Sequence, residues 1–244
     1  MKRLYVVTAC VAPRGTPTVA RADPQVRQRD YATALRFWAG EALADGHGLL
    51  VVENSGWDPV RLLTAADVDP ARVPVLSYVE DEAVQARGKG NGEALMLRRA
   101  MDWIDAQGDK PDVLVKVTGR LVIPNQRRAL AGLPSGRFLR CQVRGDLREV
   151  DTRFFATDVE TWRAYLCDLE PQVREAEDRY LEHAVASKVS GAVYDGVRRD
   201  PFPTFPRYVG RSGSFDIRYP DGPKVMLRDA LAVRIGRYLQ RRHF

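Results

Sequence analysis

The chain is poor in the residues that build disulfide or zinc frameworks. Its three cysteines, Cys10, Cys141 and Cys167, form no CxxC pair, and their odd number argues against a disulfide scaffold and for a reducing cytoplasm. Three histidines are present. His47 lies between glycines, His243 is near the end, and His183 has no second His or Cys at ligand spacing, so a zinc site is not expected. No apolar stretch approaches the ~20 residues that span a bilayer. No nucleophile-elbow sequence accompanies a Ser-His-Asp order, which removes the main support for hydrolase chemistry. Lysine is also scarce: of 38 Lys and Arg residues only six are Lys.

What is present is the mixture of a globular protein. Over 244 residues, 45% are hydrophobic and 29% charged, enough for one substantial domain. The net charge of +6 suits an anionic partner, whether a phosphate, a nucleic acid or an acidic membrane surface. Arg-rich codon usage accounts for most of the basic residues equally well, so composition alone names no partner. Lys2-Arg3 followed by Leu4 to Ala12 has the outline of a signal peptide. The run holds Tyr5, Thr8 and Cys10, however, and reads as a buried first strand.

The first half alternates short apolar runs with helical patterns. Strands are expected at Leu4–Val11, Gly48–Val52, Val73–Tyr78 and Val113–Val117, with helices over Gln28–Leu43, Asp58–Ala66 and from the glycine-rich turn at 88–92 to about Ala106. Uninterrupted apolar strands separated by helices imply a mostly parallel sheet covered on both faces. Ligands of such sheets sit at the strands' carboxyl ends. The second half reads as strands at Arg137–Val143 and Asp151–Ala156, helices at Val159–Leu169 and Arg174–Val189, a Pro/Gly/Arg-rich loop over 196–222, and a basic C-terminal helix, Lys224–Leu239.

Two segments carry anion chemistry. In Arg87-Gly88-Lys89-Gly90-Asn91-Gly92-Glu93, glycines ahead of a helix let backbone N–H groups approach a phosphate, with Lys89 in reach. No Gly-Lys-Ser/Thr follows, so this is not a Walker motif, and a plain chain reversal fits the spacing as well. In Lys116-Val117-Thr118-Gly119-Arg120, a Lys and an Arg at the end of a buried strand form a possible clamp for a diphosphate, with Thr118 as a hydroxyl donor. The competing reading of Lys116 is a structural salt bridge with Glu53 or another acid; the position at a strand's carboxyl end favours function.

Four motifs in order then resemble a known family: an Arg/Tyr-containing first helix, Glu53-Asn54-Ser55 after the second strand, the Gly-Lys-Gly-x-Gly-Glu-Ala turn, and Lys-x-Thr-Gly-Arg. Together they resemble GT-A glycosyltransferases, in particular bacterial glycosyltransferase-like proteins of surface and capsular polysaccharide synthesis. The likeness covers residues 1–125 well and extends more loosely to DTRFF, EDRYLEHA and GRSGS. It implies a single GT-A-like α/β domain over 1–244, with 1–125 as the nucleotide-sugar-binding half and 126–244 as an irregular acceptor-side half. It also implies a nucleotide-sugar donor and a glycan or lipid-linked glycan acceptor.

The resemblance makes Thr8, Glu53, Asn54 and Ser55 candidates for nucleobase and ribose, and turns Lys89, Lys116 and Arg120 toward the diphosphate. Lys-Val-Thr-Gly-Arg stands where the family's metal-binding Asp-x-Asp would be, which disfavours Mg²⁺ or Mn²⁺ and leaves no cofactor firmly expected. Asp67-Val68-Asp69 spells D-x-D but reads as a turn after a helix. An inverting transfer needs a carboxylate base. The resemblance offers Glu177-Asp178, with Glu182 close behind, and a solvated charged helix face accounts for these acids equally well. Asp151 and Arg153 are candidates for the acceptor side, and Arg211 and Ser212 of the GRSGS loop belong to the looser part of the likeness. The basic face of the last helix is a candidate for peripheral contact with anionic lipid.

Two rival readings remain. A nucleic-acid-binding α/β module rests on the net charge, but dispersed basic residues without interleaved aromatics disfavour it. Another Rossmann-like nucleotide enzyme, such as a nucleotidyltransferase, is the narrower alternative.

Overall fold

The computed structural model describes residues 1–13, 19–212, 216–219 and 231. Its centre is one seven-stranded sheet. The first strand, β1 (Arg3–Ala9), pairs in parallel with β2 (Gly48–Glu53) on one side and with β4 (Val113–Thr118) on the other; β3 (Val75–Ser77) pairs in parallel with β2. Beyond β4 lie β6 (Phe154–Asp158), antiparallel to both neighbours, then β5 (Phe138–Arg140) and β7 (Arg198–Asp200). The order is β3-β2-β1-β4-β6-β5-β7. The expected α/β architecture, mostly parallel with helices on both faces, is what forms.

Successive residues of a strand point to opposite faces, so an unbroken apolar strand must be covered twice. On one face Tyr5 and Val7 pack with Leu35, Trp38, Leu62, Leu63 and Phe154 under α1 (Pro24–Ala44) and α2 (Pro59–Ala65). On the other, Leu4 and Val6 meet Leu97, Ala100, Ile104 and Trp162, and Val185 and Val189 join them, under α4 (Lys89–Asp105), α6 (Val159–Leu166) and α7 (Leu181–Tyr194). Two short helices, α3 (Glu82–Ala86) and α5 (Gln126–Ala129), fill connections.

Helices α1 and α2 start by the same local device. Asp23 and Asp58 each accept hydrogen bonds from the two backbone N–H groups of the first turn, and each is followed by a proline whose missing N–H costs nothing there. Asp67-Val68-Asp69 follows α2 as a turn, with Asp67 left-handed at φ +54°.

The second half departs from expectation in three places. The strand expected at Asp151–Ala156 begins only at Phe154, leaving Asp151 and Arg153 before it. The helix expected over Arg174–Val189 is broken: residues Glu175–Glu177 form one 3-10 turn, Asp178 turns left-handed at φ +56°, and α7 starts at Leu181. The loop expected after 196 contributes β7, whose Arg-Arg-Asp sequence carries no apolar signal. It is placed by Arg140, a buried guanidinium that holds Asp200 and the carbonyls of Ala129, Ala131 and Gly132. The segment 224–239, read as a basic helix with a lipid-facing side, lies outside the described residues apart from Leu231. No helix among the described residues is long and apolar enough to cross a membrane.

Candidate functional site

The strand order reverses at β1. From it the chain runs outward through β2 and β3, then returns to β4 on the other side. A crevice outside the carboxyl ends is expected at such a reversal. Gly119 makes the junction tight: its N–H donates to the Thr8 carbonyl at 2.9 Å, and a Cβ there would lie 2.7 Å from that oxygen and 2.8 Å from Val7 Cγ1. Any side chain would force β4 away from β1.

On the α4 side of this edge stands a closed ionic network. Lys116 is fully buried, and its ammonium donates to Glu93 Oε1 (2.5 Å), Thr118 Oγ1 (2.9 Å) and the Thr152 carbonyl (2.5 Å). An ammonium has three N–H groups, so all are taken. Thr8 Oγ1 donates to the same Glu93 oxygen at 2.9 Å. Burial pushes the Glu93 carboxyl up, but the charge and hydrogen bond of Lys116, with help from Lys89 and Thr8, hold it below the usual carboxylate range. In this structure no N–H of Lys116 is left for the diphosphate it was expected to face. Lys116 forms the structural ion pair weighed against that reading, with Glu93 rather than Glu53 as the acid.

Glu53 does different work from that expected of it. Fully buried, it accepts from the backbone N–H groups of Val11 (3.0 Å), Ser55 (3.1 Å) and Trp57 (2.8 Å), from Ser55 Oγ, and from Ser77 Oγ (3.4 Å). Ser55 Oγ in turn accepts from Ala12 N–H at 2.9 Å. These two residues stitch together the segments leaving β1 and β2, which leaves no free carboxylate oxygen for a ribose. Asn54 lines a small cavity with Cys10, Ala12 and Glu80. Its Nδ2 donates to Glu80 Oε1 at 2.9 Å, and its buried Oδ1 has no partner among the described residues. Burial above all pushes the Glu80 carboxyl up to about 7; the Asn54 hydrogen bond opposes this, and the charges of Asp81 and Glu53 add to it.

The glycine-rich turn is also filled from within. Gly88, at φ +105°, is the N-cap, and Lys89 already belongs to α4. The Gly90 N–H donates to Glu175 Oε1 at 2.6 Å. A helix N-terminus attracts an anion, and here the chain supplies its own. The turn thus carries the chain's own acid where the spacing left a phosphate cradle and a plain chain reversal equally open.

Of the three carboxylates considered as base, only Glu182 reaches the strand ends. It accepts from Thr152 Oγ1 at 2.9 Å, and the carbonyl of that threonine holds Lys116. Glu177 is half exposed and pairs with Arg174 (3.4 Å) and Arg179 (3.9 Å). Asp178 accepts from Tyr180 OH at 3.0 Å. Both precede α7 rather than lying on it, because the left-handed turn at Asp178 breaks the helix.

On the α1 side Arg120 donates through Nη1 to the Arg211 carbonyl at 3.0 Å, while its buried Nε has no partner among the described residues. Ser212 N–H donates to the Ile217 carbonyl, and Arg211 pairs with Asp216 at 2.9 Å. Arg153 grips Asp151 through Nε (2.8 Å) and Nη2 (2.6 Å) and lies 3.9 Å and 4.9 Å from the ring centroids of Tyr208 and Tyr219. Burial works against the Arg153 charge, but Asp151 outweighs it. Tyr208 OH donates to Asp151 at 2.9 Å, and burial first, then the Asp151 charge, raise its pKa well above the ordinary value. Glu93, Glu175, Tyr208 and Tyr219 escaped the sequence reading, although Glu93 closes the very turn that was singled out. Among the described residues no group of three His, Cys, Asp or Glu side chains could hold a metal ion.

No protein-family model matches the chain, and no curated protein matches it in sequence. Solved structures share its outline. A Desulfovibrio desulfuricans G20 protein assigned as a nucleotide-diphospho-sugar transferase has a TM-score of 0.49 at 13% identity, over 82% of this chain and 80% of that one. The galactosyltransferase LgtC, solved with donor and acceptor sugar analogues, has a TM-score of 0.49 at 10% identity, over 76% and 70%. The inositol-1-phosphate CTP transferase of T. maritima has a TM-score of 0.48 at 15% identity, over 94% and 95%. Likenesses this distant carry no argument about activity.

Proposed function

We propose that the protein is a glycosyltransferase that moves a sugar from a nucleotide-sugar donor to a glycan or lipid-linked glycan in bacterial surface-polysaccharide synthesis. The carrying observation is the strand reversal at β1 and β4, with Arg120 just past the carboxyl end of β4 and short of hydrogen-bond partners among the described residues. Nucleotides bind in such crevices, and a guanidinium forks two oxygens of a diphosphate.

In the reaction, an acceptor hydroxyl oxygen bonds to the anomeric carbon. The bond from that carbon to the diphosphate oxygen breaks, and its electron pair leaves with the nucleoside diphosphate. Arginine side chains stabilise that developing charge in place of a metal ion. The acceptor's proton passes to Glu182, the one candidate base at the strand ends. Asp151 and Arg153 shape the acceptor side, and residues 126–244 form the acceptor half. The C-terminal segment supplies peripheral contact with the inner face of the membrane.

A panel of nucleoside-diphosphate sugars, followed for the phosphorus-containing product, tests this reading. Release of a nucleoside diphosphate, undiminished by chelator, is expected. Release of pyrophosphate from a nucleoside triphosphate and a sugar phosphate would make it a nucleotidyltransferase. Stabilisation by oligonucleotides alone, abolished by moderate salt, would make it a nucleic-acid-binding module.

A further inference from the structure

Arg27, in α1, is 4% exposed and has no carboxylate partner among the described residues. Its guanidinium donates through Nε to the Cys10 carbonyl (2.7 Å), through Nη1 to the Arg21 carbonyl (3.0 Å) and through Nη2 to Tyr31 OH (3.2 Å). Five N–H groups are available to a guanidinium, so two have no partner among the described residues. Arg120 is partly exposed; among the described residues it makes one hydrogen bond, and its buried Nε has no partner. The two guanidinium carbons lie 5.7 Å and 5.9 Å from the centroid of the same Tyr31 ring. Both charges bear on the Cys10 thiol just past β1, although burial outweighs them and pushes that thiol up to about 12.

Tyr31 is itself incomplete. Its hydroxyl oxygen accepts from Arg27 and from the Cys10 backbone N–H (2.9 Å), and its own proton has no acceptor among the described residues. Elsewhere the fold neutralises its buried cations: Arg140 is paired with Asp200, Lys116 with Glu93, and Arg153 with Asp151. Leaving a buried guanidinium, a second one beside it and a hydroxyl proton without an anion among the described residues is costly. It is sensible where an anion arrives from outside.

We infer that Arg27, Tyr31 and Arg120 form the cradle for the diphosphate of a nucleotide ligand, on the α1 side of the β1/β4 crevice, and that Lys116 and the α4 N-terminus take no part in it. The inference rests on the nucleotide-sugar reading only for the identity of the group attached to the diphosphate. Arg120 forks two non-bridging oxygens, Arg27 offers the two N–H groups that no described residue takes, and the Tyr31 hydroxyl donates a hydrogen bond to a third oxygen. Charge-assisted bonds of this kind are the stronger class.

Calorimetric titration of the full chain with nucleoside diphosphates, the matching nucleosides and inorganic pyrophosphate tests the cradle. Arg120→Met removes one fork, Arg27→Lys keeps the charge but loses the fork, and Tyr31→Phe removes only the hydroxyl. Circular dichroism confirms that each variant is folded. The expected result is a loss of diphosphate affinity of about tenfold to a hundredfold in Arg120→Met, a smaller loss in Arg27→Lys and the smallest in Tyr31→Phe, with nucleoside affinity unchanged.

Nucleoside diphosphates bound as tightly by the Arg120→Met and Arg27→Lys variants as by the unaltered chain would overturn the cradle and leave the nucleotide reading intact. Pyrophosphate binding that is lost in these variants, from a chain that binds no nucleotide, would uphold the cradle and overturn the nucleotide reading. Binding of neither ligand by the unaltered chain would overturn both.

Discussion

Two groups of positive charge stand at the same edge of the sheet, and the chain treats them in opposite ways. On the α4 side, Lys116 has a carboxylate, a hydroxyl and a carbonyl for its three N–H groups, and Gly90 at the α4 N-terminus is met by Glu175. On the α1 side, Arg27 and Arg120 share a tyrosine ring and have no acid among the described residues. A saturated cation holds a fold together, whereas an unsaturated one at a strand's carboxyl end is free to meet a ligand. Position at a strand end therefore does not by itself separate the two groups; the count of donors already spent does.

Removing Lys116 should do the most damage. Lys116→Met leaves the Glu93 carboxylate without its partner and should cost about 3–5 kcal/mol, read as a drop in Tm of about 10 °C. Adding Glu93→Gln should recover much of that loss in the same melting experiment. A neutral result would mean that the pair is not structural.

Glu53→Gln comes next. It replaces an acceptor-only carboxylate with a group that presents N–H to the donors of Val11, Ser55 and Trp57, at about 2–3 kcal/mol by urea unfolding. Gly88→Ala should cost about 1–3 kcal/mol, because φ is +105° and the new methyl meets Glu175.

The smallest effect is in pH dependence. Because the Glu80 carboxyl is raised to about 7 in the folded chain from an ordinary 4.5, the folded form binds the proton more tightly. Its contribution to stability is complete below about 4.5 and is lost as pH rises through 7. Glu80→Gln should flatten that descent in a series of melts across this range, and an unchanged profile would contradict the assignment.

Much of the sheet was legible because β1, β2 and β4 are buried on both faces and so must be written in unbroken apolar residues. β7 was not, since Arg198-Arg199-Asp200 is held by the side chain of Arg140 rather than by its own hydrophobicity. The break in the 174–189 helix escaped notice because a single left-handed residue, Asp178, makes it.

At the site, the motifs led to the carboxyl edge of the sheet, where some of the residues they single out have their donors spent within the chain and others keep a donor with no partner among the described residues. Lys116, Glu53 and the glycine turn drew attention as chemistry, yet their partners Glu93, Val11 and Glu175 come from 23, 42 and 85 residues away. Spacing along a chain cannot show which donors are already spent. Arg27 and Tyr31 could have been paired as i and i+4 on a helix, but nothing local shows that Arg27 lacks an acid.

The ligand-free stability of Arg120→Met, measured beside that of Lys116→Met, tests the contrast most directly. Arg120 gives up one hydrogen bond to a loop carbonyl, and its removal relieves a buried N–H that has no partner among the described residues. Melting at the temperature of the unaltered chain or above it is predicted for Arg120→Met, with Lys116→Met about 10 °C below. Equal destabilisation of the two variants would show that both cations serve the fold and would contradict the division of this edge into a structural half and a binding half.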